Sequence, residues 1–137
     1  MSKTALVTGA SGFIALHVVN QLLQDGWNVH ATVRSLKNQA KIKPITDLGA
    51  NARGSLELFE ADLQKPGSFA DAMQGCSVVF HVASPFLVPE QVKNPLKQLI
   101  EPAIEGTHNV LTTVNETPSV QRVILTSSGM FHRRRAC

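Results

Sequence analysis

Two rhythms of apolar and polar positions run along this chain. Short apolar stretches at Lys3–Thr8, Asn28–Val33, Leu56–Ala61, Val78–Ala83 and Val120–Thr126 read as β-strands. After the first, Ile14, Val18 and Leu22, with Val19 and Leu23 beside them, recur at helical spacing until Asp25-Gly26 supplies a stop. Ser68 is placed to cap a short helix through Met73, with Gly75 ending it. Asn94-Pro95 pairs an N-cap with the residue best tolerated at the first helical position. Leu96, Leu99 and Ile100 then line one face, Pro102 is expected to kink or restart the helix, and Ile104, Val110, Leu111 and Val114 continue it. The polar connection from Lys37 to Gly54 predicts only a short helix around Ile42 to Leu48. Parallel neighbours cannot be joined by a tight turn, so strands separated by such crossovers predict an α/β fold. The expected architecture is a doubly wound, Rossmann-type parallel sheet, truncated after its fifth strand.

Composition narrows the class without changing that picture. A chain of 137 residues, 43% apolar and 17% charged, suits one globular domain and neither a disordered nor a membrane protein. No apolar run approaches a bilayer-spanning length, and "MSKTALVTG" lacks a secretory apolar stretch, which predicts a cytoplasmic protein. Lysine and arginine number 13 against 10 acidic residues, and Arg133, Arg134 and Arg135 make up the difference. The body of the chain therefore carries no net basic charge for nucleic acid, and the terminal HRRR reads as a solvated tail. Cys76 and Cys137 form neither a metal-ligand spacing nor a disulfide framework, so no metal is expected.

The candidate chemistry begins at "TGASGFIA", Thr8 to Ala15. Gly9, Gly12 and Ala15 stand three apart where the first strand meets the first helix. Small residues there permit a tight turn and close approach of a pyrophosphate over the unpaired N–H groups of the helix start. The second strand ends in "TVRSLK", and no Asp or Glu occurs between Asp25 and Asp47. A site preferring NAD usually places a carboxylate there for the ribose 2′-hydroxyl. Here Arg34 can pair with a 2′-phosphate, Ser35 can donate a hydrogen bond, and Lys37 or Lys41 can add charge, which predicts NADPH over NADH.

In the order "VTGASGFIALHVV", "TVRS", "EADL", "VFHVASPF", "GTHNVL" and "RVILTSS", the chain resembles the N-terminal half of an extended short-chain dehydrogenase/reductase of the NAD-dependent epimerase/dehydratase superfamily. The nearest branch holds dihydroflavonol reductases, cinnamoyl-CoA reductases and fungal NADPH-dependent ketone and aldehyde reductases. The resemblance implies that Gly9, Gly12, Phe13 and Ile14 form the pyrophosphate turn and that Arg34 meets the 2′-phosphate; Ser11, inside the turn, and Lys41, by its charge, are the further cofactor-binding candidates. It places Asp62 and Leu63 beside the adenine, and Ala83 and Ser84, followed by Pro85, beside the ribose and nicotinamide. Read from the residues alone, Asp62 equally suits a cap of the next turn and Pro85 the end of a strand. His81, inside an apolar strand, is expected to pack in the core, and Asn109 to make structural hydrogen bonds.

The family's reaction moves a hydride between nicotinamide and a carbonyl or alcohol carbon. A tyrosine supplies the proton, a lysine four residues on lowers its pKa, and a serine matched here by Ser128 orients the oxygen. This chain contains no tyrosine, and "GMFHRRRAC" after Ser128 contains no lysine. The expected division is an incomplete NADP-binding domain over 1–128 and a basic tail over 129–137. Two readings follow: a truncated or frame-shifted oxidoreductase, nearly inactive by itself, or a non-catalytic NADP-binding module. A small carbonyl substrate is expected only of a longer protein, and self-association through an exposed sheet edge is expected of this one.

Overall fold

The computed structural model describes residues 3–85 and 89–127. Five parallel strands form one sheet in the order β3-β2-β1-β4-β5, where β1 is Thr4–Val7, β2 Asn28–Val33, β3 Ser55–Glu60, β4 Val78–His81 and β5 Arg122–Leu125. The chain runs from β1 outward to β3, returns to the other side of β1 for β4, and continues to β5. The order therefore reverses between β1 and β4, where Ala5 stands beside Val78 and Val7 beside Phe80. A doubly wound sheet opens a crevice at the carboxyl ends of the strands flanking such a reversal.

Alternation along the strands divides the core in two. Ala5 and Val7 of β1, with Val29, Ala31 and Val33 of β2, pack under α1 (Phe13–Gln24) and α2 (Gln39–Gly49). Leu6 and Val79 face the other way, into a cluster with Phe69, Ala72, Met73, Cys76 and Val110 beneath α3 (Ala70–Met73) and α4 (Glu101–Glu116). Fully burying side chains of this size supplies about 1.5 to 3 kcal/mol each, which is what holds the two layers on the sheet.

The periodic elements fall where the sequence puts them, and the departures have local causes. Helix α2 spans Gln39–Gly49, longer than the Ile42 to Leu48 expected, because the Asn38 side chain accepts from Lys41 N–H and starts it three residues earlier. Pro44 inside α2 removes one ladder donor, yet buried Ile42 and Ile45 anchor the helix on the sheet. Ser68 is not a helix cap: its hydroxyl accepts from Asp62 N–H and donates to Asp62 C=O, while the helix begins at Ala70 with no side-chain cap. Asn94 does cap, accepting from Lys97 N–H, and the Gln98 carboxamide accepts from Asn94 and Lys93 N–H in return. Pro102, which lacks the donor a regular turn needs, is accommodated without a break by a π-helical turn over Leu96–Ile100 that runs into α4. The apolar face expected there is only partly buried: Val110 packs in the core and Val114 against it, but Leu96, Ile100, Ile104 and Leu111 are exposed, and Pro102, Gly106 and Thr113 complete the buried side of α4.

Candidate functional site

The strand reversal opens into a cleft of about 770 Å³ whose floor is the turn after β1. Gly9 has φ of +67°, and a Cβ there would lie 2.9 Å from the Ala83 Cβ, so both its backbone conformation and its neighbour require glycine. Two bonds to β2 fix the turn: Gly9 N–H donates to the Thr32 hydroxyl at 3.3 Å and Ala10 N–H to Thr32 C=O at 2.8 Å. Gly12 then enters α1 in extended conformation, without any side-chain cap. The first N–H groups of a twelve-residue helix are thereby left for a ligand, and Ser11, Gly12, Phe13, Ile14 and Ala15 all line the cleft. Phe13 and Ile14 stand exposed at its mouth.

The end of β2 forms one wall. Arg34, Ser35, Asn38 and Lys41 line it, and among the described residues neither Arg34 nor Lys41 pairs with a carboxylate. Lys37 is not among the lining residues; its N–H donates to the Ser35 hydroxyl instead. Glu60, at the end of β3, braces this wall by accepting from Leu36 N–H at 3.1 Å. Asp62 and Leu63 continue the lining, and the Asp62 carboxylate accepts from Gln64 N–H, capping the next turn. The turn is pinned by α4. Asn109 donates its Nδ2–H to Leu63 C=O at 2.7 Å, and Gly106 lies so close that a Cβ would sit 2.9 Å from the Leu63 Cβ. That is the structural role expected of Asn109.

Val82, Ala83, Ser84 and Pro85 form the opposite wall. They leave β4 after His81, which is buried as expected and bonded at Nδ1 to the Thr8 hydroxyl at 3.0 Å; burial pushes its pKa below the usual imidazole value. Thr8 and Thr32 escape a reading by sequence because strand threonines carry no local mark of bonding to residues 73 and 23 positions away. Ser128 lies outside the described residues. Cys76 is a buried thiol with its pKa pushed up to about 12 by desolvation, and it is not among the residues lining the cleft. Among the described residues no cluster of histidine, cysteine and carboxylate groups suits a metal, and no helix is long and apolar enough to cross a membrane.

A glycine turn feeding an uncapped helix at the reversal of a β3-β2-β1-β4-β5 sheet defines a Rossmann-type nucleotide-binding fold. Residues 5–133 match the NAD dependent epimerase/dehydratase family, and the chain belongs to that family. It is 46% identical over 129 residues to tetraketide alpha-pyrone reductase 1 of Arabidopsis thaliana, covering 94% of this chain and 39% of that protein. Against dihydroflavonol 4-reductase of Zea mays it is 46% identical over 128 residues, 91% of this chain and 34% of the relative. Among solved structures, Gre2 of Candida albicans in complex with NADPH superposes with a TM-score of 0.77 at 39% identity, over 92% of this chain and 37% of that one. The chain thus spans little more than a third of the length of the relatives it matches.

Proposed function

We propose that this chain is the NADPH-binding portion of an oxidoreductase that reduces aldehyde or ketone groups by hydride transfer. The observation that carries the choice of cofactor is the wall after β2, where Arg34, Ser35 and Lys41 line the cleft and, among the described residues, neither cation pairs with a carboxylate. A 2′-phosphate placed there meets a planar guanidinium, a point charge and a hydroxyl. The pyrophosphate suits the cradle at Gly9 and Gly12, and Ala83 and Ser84 leave room for the nicotinamide ribose. The dinucleotide would supply the hydride; this chain supplies its grip and orientation. Relatives that carry reductase names, and one bound to NADPH, support the reading.

The proton donor implied by the resemblance is a tyrosine, and the chain contains none. Without a general acid, carbonyl reduction by these 137 residues falls about two to four orders of magnitude below that of a complete site. Ser128 alone would orient a substrate oxygen without protonating it. A non-catalytic NADP-binding module is the second reading of the same cleft. Calorimetric titration with NADPH and NADH tests the cofactor choice. Expected is at least about tenfold tighter binding of NADPH, and loss of that preference in Arg34→Ala. Equal affinities in both proteins would overturn it.

A further inference from the structure

We infer that Thr8 and His81 form a buried clamp that positions the Val82–Pro85 wall against the Gly9 turn, with His81 acting as its neutral Nε2–H tautomer. Four contacts converge on one oxygen or its neighbour. The Thr8 hydroxyl oxygen lies 3.1 Å from Val82 N and 3.0 Å from Ala83 N, and both N–H groups donate to it. It also lies 3.0 Å from His81 Nδ1. Ala83, held in this way, is the residue against which Gly9 packs.

A hydroxyl has two acceptor sites and one proton. The two amides fill the acceptor sites, so the proton goes to Nδ1, and His81 carries its own proton on Nε2. An imidazolium would present a second donor at Nδ1 to an oxygen already saturated, forcing one amide off. Burial agrees, since it disfavours the charged ring. His81 also lines a second cavity of about 90 Å³, whose other lining residues include Ser84, Thr107 and Thr126 and, among the described residues, no ionisable side chain. Thr126 N–H donates to His81 C=O, tying the exit of β5 to the same residue. Thr8 and His81 touch no ligand themselves, so they are positioning residues, and their effect on the cofactor rests on the NADPH reading above.

Nitrogen-15 NMR of histidine-labelled chain, with His81 assigned from the His81→Asn spectrum, reads the tautomer directly. Expected is an unprotonated Nδ1 and a protonated Nε2, with slow hydrogen exchange at the Val82 and Ala83 amides. Thr8→Ser and His81→Asn keep the converging polar atoms and should retain that protection and bind NADPH within about threefold of the parent. Thr8→Val should expose both amides to exchange and weaken NADPH binding about tenfold or more, because two donors lose their acceptor. An Nδ1–H tautomer, or unchanged protection in Thr8→Val, overturns the clamp. Should Thr8→Val not fold, the tautomer and the Thr8→Ser protection still decide. A chain with the expected tautomer and protection that fails to bind NADPH supports the clamp and overturns the cofactor reading.

Discussion

The two walls of the cleft are built differently. The wall after β2 is cationic and locally braced, with Arg34 and Lys41 set by the Asn38 cap of α2 and by Glu60 on Leu36. The wall after β4 is small and uncharged over Val82–Pro85, and it is held by the buried Thr8 hydroxyl just past β1 and by packing against Gly9. The outer edges repeat the contrast. Strand β3 exposes Ser55, Glu57 and Glu60, as a solvent edge should, whereas β5 exposes Arg122 but also Ile124 and Leu125. One side of the molecule gathers two cations at the cleft that, among the described residues, pair with no carboxylate. The other presents apolar side chains to solvent.

The seam between the walls is the most sensitive point. Gly9→Ala forces a Cβ to within 2.9 Å of Ala83 at a positive φ, and together these should cost about 2 to 4 kcal/mol of stability. Thermal unfolding is expected to shift down by several degrees, with NADPH binding weakened more than tenfold. Unchanged melting and affinity would mean that the walls are not held at this contact.

The asymmetry of charge is tested next. Arg34→Ala should weaken NADPH binding about tenfold to a hundredfold and leave NADH nearly unchanged, while Ser84→Ala on the opposite wall should alter both by less than about threefold. If the two substitutions had equal effects, the distinction between a gripping and a shaping wall would fail. The edges give a smaller effect. Leu125, 57% exposed on β5, should promote self-association, and Leu125→Lys should shift sedimentation toward monomer while Glu57→Gln on β3 leaves it alone.

How much of this was legible in the sequence follows from how local each cause is. The glycine turn and Arg34 announce themselves because the residues that make them are neighbours in the chain, and the parallel sheet follows from five apolar runs with long crossovers, though not the order of its strands. Asn109 was readable as a structural amide, though its partner Leu63 is 46 residues away. The bracing was not readable: Thr8, Thr32 and Glu60 act across strands, and nothing in a tetrapeptide around any of them marks the partner. Pro44 and a polar composition hid the true length of α2. Ser68 has the right chemistry for a cap, but tertiary placement gives its hydroxyl to Asp62. Helical spacing on Leu96, Ile100 and Ile104 identified an apolar face without saying that these residues leave it uncovered.

The least conspicuous effect of the contrast should appear as a dependence of stability on pH. His81 is buried and its folded pKa lies below 6.5, whereas in the unfolded chain it titrates near that ordinary value. The unfolded state therefore binds the proton first as pH falls. The contribution of neutral His81 is complete above pH 6.5 and is lost progressively below it, until the folded state also takes up the proton. One proton of difference gives a slope of at most about 1.4 kcal/mol per pH unit within that window. Urea unfolding at pH 7.5, 6.5 and 5.5 should show the parent losing stability on acidification by more than His81→Asn, which has no titrating ring. The other histidines are common to both proteins, so their contribution drops out of the difference. Parallel pH profiles would mean that His81 binds its proton as readily in the folded chain as in the unfolded one, and that the Val82–Pro85 wall does not need the neutral ring.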